Sequence, residues 1–185
     1  MREVNSGVVT CGEPPANAVI VVTGLGRGGT TSLAELLSTL EHLHWTGLAN
    51  LEDYEFAKYI ENDELTSARW IVAGRGTRWV VKRPHVWRYA PRLQQVLQER
   101  LVWVFVFRDP IAIAVYQARV SGELVEDAVR RVQKELDELT TFATIVEEPK
   151  AMVSYEKSLT QRERIRWHLG QWLHGDRFTQ EEWIS

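Results

Sequence analysis

Val19-Ile20-Val21-Val22 is a continuous β-branched run that leads through Thr23 into Gly24-Leu25-Gly26-Arg27-Gly28-Gly29 and then Thr30-Thr31-Ser32-Leu33. A strand with no polar alternation must be covered on both faces, which is the condition of a parallel strand between helices. Leu33, Leu36, Leu37 and Leu40 follow at i, i+3, i+4 and i+7, one face of a helix. Strand, glycine-rich turn, helix is an α/β signature. Glycines remove the Cβ atoms that keep an anion from backbone N–H groups, and the following helix presents the positive end of its dipole. Arg27 adds a cation, and Thr30, Thr31 and Ser32 add hydroxyl donors. The plainer alternative is a tight strand-to-helix turn that binds nothing.

The rest of the chain repeats the alternation. Leu101-Val102-Trp103-Val104-Phe105-Val106-Phe107 is the strongest strand, and Asp109-Pro110 is a helix start. Trp79-Val80-Val81 follows the turn residues Gly74 and Gly76, residues 90–100 read as helix, and residues 50–64 are an acidic, aromatic stretch of helix and loop. Leu124, Ala128, Val132, Leu136, Leu139, Phe142, Ala143 and Val146 keep helical spacing over residues 122–147, which Pro149 ends. A last strand is expected at 151–155 and a closing helix at 159–173. The expected fold is α/β, a P-loop-type parallel sheet of about four or five strands flanked by helices, with residues 19–23 and 101–107 as neighbouring central strands. Residues 1–17, which hold Gly7, Gly12, Pro14 and Pro15, read as a flexible arm, and 18–185 as a single α/β domain.

Composition narrows the function. Apolar residues are 44% and charged residues 25%, and eight Trp, five Tyr and five Phe need a core. No apolar run approaches a membrane span, and the first residues lack the apolar core of a secretory signal. With Cys11 as the one cysteine, no disulfide framework or Cys-based zinc site is available, and a reducing, cytoplasmic location is expected. A net charge of -3 argues against nucleic acid and anionic membranes as partners, while leaving room for a local basic pocket.

The ATP-type phosphate loop is G-x-x-x-x-G-K-[ST]. Gly24 and Gly29 have that spacing, but Thr30 stands where the Lys belongs. The loop instead resembles the 5′-phosphosulfate loop of sulfotransferases that use 3′-phosphoadenosine-5′-phosphosulfate (PAPS), in which Lys or Arg and a small residue precede Gly-Thr-Thr. Here that is Arg27-Gly28-Gly29-Thr30-Thr31. The resemblance implies PAPS as co-substrate, bound by Gly26, Arg27, Gly28, Gly29, Thr30, Thr31 and Ser32. Val104-Phe105-Val106-Phe107-Arg108-Asp109-Pro110 resembles the family's strand ending in Arg-Asp-Pro, which implies that Arg108 takes the 3′-phosphate. The Ser that shares that phosphate eight residues on is replaced by Tyr116. Either Tyr116 reaches the phosphate, or it packs and Arg108 acts mainly alone; Ser121 is another hydroxyl. Without a ligand, Arg108-Asp109 would be an ion pair, or Asp109 a magnesium-site carboxylate. Lys82-Arg83-Pro84 and Tyr155-Glu156 resemble two looser family motifs. The resemblance runs over 19–173 in a chain shorter than is usual for the family, and the glycines of residues 170–179 faintly resemble its covering loop.

The resemblance implies sulfuryl transfer to a hydroxyl or amine acceptor, a small molecule or a carbohydrate. Arg27 and Lys82 would neutralise charge on the reacting oxygens, and Arg acts there by charge and paired hydrogen bonds because it keeps its proton. The base is His85, or a carboxylate among Glu52, Asp53 and Glu55; His42 and His44 read as a solvated helix face. No cluster has metal-ligand spacing, so no metal is expected. Arg75, Arg78, Lys82, Arg83, Arg88 and Arg92 form a basic cluster, read either as an anion site or as a salt-bridged surface. Two other functions stay open: a P-loop phosphotransferase acting on a small molecule, and a degenerate nucleotide-binding module without activity.

Overall fold

The computed structural model describes residues 7–41, 51–76 and 78–175. Five strands, β1 (Val8–Cys11), β2 (Val19–Gly24), β3 (Trp79–Lys82), β4 (Leu101–Phe107) and β5 (Lys150–Ser154), form one sheet in the order β1-β5-β4-β2-β3. β2 lies parallel to both β3 and β4, and β4 parallel to β5; β1 joins antiparallel at the edge. The two long apolar runs are therefore neighbours at the centre, in register from Val19 opposite Leu101 to Gly24 opposite Val106.

Their lack of alternation has a direct cause, since each face of the sheet has its own core. Val19, Val21, Trp79, Trp103 and Phe105 pack with α2 (Tyr54–Glu61), α3 (Leu65–Gly74), α4 (Ala90–Leu97), α5 (Pro110–Ser121) and α6 (Val125–Ile145). Ile20, Val22, Val102, Val104 and Val106 pack with Leu33, Leu36 and Leu37 of α1 (Thr30–Leu37) and Ile165, Leu169 and Leu173 of α8 (Arg162–His174). From β2 the chain passes to β3 on one side and then to β4 on the other. The carboxyl ends of β2 and β4 thus flank a topological switch point, where open α/β sheets form ligand crevices.

Three readings of the sequence change. Part of the expected flexible arm is strand β1, hydrogen-bonded along β5 from Val8 opposite Val153 to Cys11 opposite Lys150. It is only four residues long and half-buried at best, too short a run to stand out from the surrounding Gly and Pro residues. The expected closing helix is two helices, α7 (Tyr155–Thr160) and α8, parted at Gln161. Helix α3 was not anticipated at all. No helix among the described residues is long and apolar enough to cross a membrane.

Candidate active site

The glycine-rich turn is shaped by close backbone contacts. A Cβ on Gly24 would lie 2.8 Å from the Val106 carbonyl, so β2 and β4 meet closely there. The Gly28 N–H donates to the Leu25 carbonyl (2.9 Å), which spends that amide on the turn itself. Arg27 (φ 66°) and Gly29 (φ 95°) are left-handed. The first intrahelical bond of α1 runs from Leu33 N–H to the Gly29 carbonyl, so the amides of residues 29–32 lie outside the helical ladder, as an anion site requires.

These amides border a cleft of about 620 Å³, within the ~300–1,000 Å³ usual for small-molecule sites. Gly26, Arg27, Gly29, Thr30, Thr31 and Ser32 line it from the loop and α1, Lys82 from the end of β3, and Arg108 from the end of β4. The structure thus brings together every predicted phosphate-loop residue except Gly28, which lies behind the turn. Arg108 donates to the Arg27 carbonyl (2.9 Å), and its guanidinium lies 4.6 Å from the Tyr155 ring centre. Tyr116 also lines the cleft, where its ring stacks against Arg27 at 5.0 Å. Ser121 is turned away, its hydroxyl donating to the Gln117 carbonyl.

Lys82 is 1% exposed and Glu52 7%, and Lys82 Nζ stands 3.1 Å from Glu52 Oε1. The other Glu52 oxygen accepts from Arg83 (2.6 Å), which is also gripped by Glu61 and is held above its ordinary pKa by that hydrogen bond. Burial pushes Lys82 below its ordinary value of 10.5, an effect that Glu52 partly offsets. Between its folded pKa and 10.5 the unfolded chain binds the extra proton, so this group makes stability rise with pH across that window. Glu52→Gln removes the offsetting charge and widens the window downwards. The stability lost in Glu52→Gln, measured by urea unfolding, is therefore expected to be larger at pH 7 than at pH 9.5. An equal loss at both would show that Lys82 does not sense Glu52.

The basic cluster proves to be neutralised. Arg75 pairs with Asp53, Arg78 with Glu41, Arg83 with Glu52 and Glu61, Arg88 with Glu135 and Glu138, and Arg92 with Asp63. The acidic stretch around α2 packs against the end of β3 and supplies much of this counter-charge. Of the cluster, Lys82 alone borders the cleft.

The base candidates separate. His85 sits beside the loop, and its Nε2 accepts from the Gly26 N–H (3.0 Å); it does not border the main cleft. Burial lowers its pKa and so keeps it neutral. Asp53 caps α2 by accepting from the Phe56 N–H, and Glu55 is exposed, whereas Glu52 lines the cleft. His42 and His44 lie outside the described residues, as do residues 176–179 of the segment compared with a covering loop, of which residues 170–174 are helix. Asp109 caps α5 by accepting from the N–H groups of Ile111 and Ala112. No group of His, Cys, Asp or Glu that could hold a metal occurs among the described residues.

Tyr155, matched in the sequence only to a loose motif, walls the cleft beneath Arg108 and packs on Gly29. Gln117 drew no attention, although it donates to the Gly26 carbonyl (3.0 Å). Gln117 carries no local signal, because it acts on a residue distant in sequence.

No family model and no curated protein sequence matches the chain. Among solved structures it is similar to the sulfotransferase domain from the curacin biosynthetic pathway, with a TM-score of 0.54 and 10% identity over 86% of this chain and 74% of that one. At that identity the likeness speaks to backbone arrangement alone. With its five-stranded, mostly parallel sheet between helices, the chain has a sulfotransferase-like α/β fold.

Proposed function

We propose that the protein is a PAPS-dependent sulfotransferase that moves a sulfuryl group to a hydroxyl or amine acceptor, a small molecule or a carbohydrate. One observation carries this reading: Arg27, Lys82 and Arg108, from three separate elements, converge on one cleft beside the N-terminal end of α1. That donor set fits a ligand with anionic groups at both ends. The loop amides, Thr30, Thr31 and Ser32 would hold the 5′-phosphate, and Arg108 the 3′-phosphate. PAPS would supply the activated sulfuryl group, whose bond to the 5′-phosphate breaks as the bond to the acceptor forms. Arg27 and Lys82 would stabilise charge on the transferring and leaving oxygens. Glu52 is assigned the acceptor proton in place of His85, because it lines the cleft and His85 does not; with both oxygens paired to Lys82 and Arg83, it would take the proton through a lone pair left over. The phosphotransferase reading loses support, since Asp109, its magnesium carboxylate, is occupied as a helix cap.

Thermal shift tests the reading: stabilisation by 3′,5′-adenosine bisphosphate but not by ATP with magnesium is expected. The reverse would select a phosphotransferase, and silence from both a degenerate module. Arg108→Ala makes the test residue-specific. A charge-assisted contact contributes roughly 1.5–3 kcal/mol, so about one to two decades of affinity for 3′,5′-adenosine bisphosphate should be lost, with a much smaller loss for adenosine 5′-phosphate. Tyr116→Phe should show a weaker loss of the same selectivity if its hydroxyl reaches the 3′-phosphate, and none if the ring only stacks on Arg27. Equal losses for both nucleotides in Arg108→Ala would mean that it supports the loop through the Arg27 carbonyl and does not read the 3′-phosphate.

A further inference from the structure

Gly26 is gripped at both of its backbone polar atoms by side chains from two separate parts of the chain. Its N–H donates to His85 Nε2 (3.0 Å), and its carbonyl accepts from Gln117 Nε2 (3.0 Å). A Cβ on Gly26 would stand 3.2 Å from the imidazole nitrogen and 3.8 Å from the amide nitrogen, so the residue fills the gap between the two groups. Each gripping residue is itself anchored. The His85 N–H donates to the Gly24 carbonyl (2.9 Å), and His85 takes up a left-handed backbone (φ 60°) where β3 turns away. Gln117 Oε1 accepts from Arg131 Nη1 (2.8 Å), and Arg131 is paired with Glu123 at 2.7 Å. The chain of contacts runs from Glu123 through Arg131 and Gln117 to the residue immediately before Arg27.

We propose that His85 and Gln117 are positioning residues that clamp Gly26 and so hold Arg27 and the loop amides in the arrangement that receives the 5′-phosphate. The clamp rests on the loop being the phosphate-binding element of the proposed function. His85 fits holding better than proton transfer. Accepting from Gly26 requires a neutral ring with its proton on Nδ1, and Nδ1 is buried with no hydrogen-bond partner among the described residues. A general base of the His type would need Nε2 free and Nδ1 oriented by an acceptor. The clamp also restrains a segment that is otherwise costly to hold, since Arg27 is a left-handed non-glycine residue in the turn closed by the Gly28 N–H to Leu25 carbonyl bond.

The test measures binding of two probes, 3′,5′-adenosine bisphosphate and adenosine 3′-phosphate, by calorimetry on the full chain. His85→Leu and Gln117→Leu are each expected to lose about three- to tenfold in affinity for the bisphosphate, the range of one hydrogen bond, with adenosine 3′-phosphate unchanged because it lacks the group the loop receives. His85→Gln, whose Oε1 can take the place of Nε2, should restore binding to within about twofold. The double Leu variant should lose less than the product of the single losses, because both residues hold one glycine. Equal losses for both probes, no loss at all, or failure of His85→Gln to rescue would overturn the clamp. If His85→Leu does not fold, the Gln117→Leu result decides by the same criteria. Failure of the unmodified protein to bind the bisphosphate would overturn the phosphate-site reading itself, and the clamp with it.

Discussion

Arg27→Ala is expected to lower the rate of the proposed sulfuryl transfer by about 10²–10³-fold, the range found when one preorganised donor to a developing charge is removed. Arg27 is exposed at the mouth of the cleft, so its loss opens no hole in a core. Its backbone is left-handed, but Ala and Arg both carry a Cβ, so the substitution adds no new steric conflict there. The stacking on Tyr116 is lost as well, worth about 0.5–1 kcal/mol at an exposed site. The effect should therefore fall on kcat far more than on melting temperature. Arg27→Lys keeps a cation within reach of the same oxygens and is expected to stay within about tenfold of the unmodified protein, the residual loss reflecting the missing planar fork. Release of 3′,5′-adenosine bisphosphate from PAPS is the measurement. An Arg27→Ala protein as active as the parent would remove Arg27 from the chemistry.

Gly29→Ala is expected to have the largest effect on the folded structure. Gly29 caps α1 at φ 95°, a conformation that costs a residue with a side chain about 1–3 kcal/mol. A Cβ there would also collide with the Tyr155 ring, which walls the cleft and carries Arg108 on its face. Forcing an atom into such a contact costs a further ~1–3 kcal/mol unless the ring moves. A total near 3 kcal/mol corresponds to a fall of about 10 °C in Tm for a chain of this size. If Tyr155 is displaced instead, Arg108 loses its platform and affinity for 3′,5′-adenosine bisphosphate drops. The double variant Gly29→Ala/Tyr155→Ala separates the two contributions. Relative to Tyr155→Ala alone, the added cost of Gly29→Ala should shrink to the backbone part. A neutral Gly29→Ala, or an unchanged cost in the Tyr155→Ala background, would mean that the ring and the glycine are not in contact.

Much of the scaffold of this site was legible because its signals are local. Burial on both sides of the sheet forces Val19 to Val22 and Leu101 to Val106 to be apolar without interruption, and the glycines after β2 are demanded by the turn in which they sit. Arg108 could be placed at a strand end because Asp109 and Pro110 start α5 immediately after it. β1 could not be read, since a short edge strand with one face to solvent owes its existence to β5, more than a hundred residues away.

The same distinction runs through the candidate site. Sequence alone located the loop, its cation, the Lys at the end of β3 and the Arg at the end of β4. Of the three nearby carboxylates, only the tertiary structure could show that Glu52 lies on the cleft, buried against Lys82, while Asp53 is drawn to its helix cap and Arg75. It also converted six basic residues into ion pairs, turned the His85 ring onto Gly26, and set Tyr155 beneath Arg108. Spacing along the chain fixes which residues share a turn or a helix face. The direction of a side chain and the charge it meets depend on elements that pack against it from elsewhere, and no local pattern encodes those.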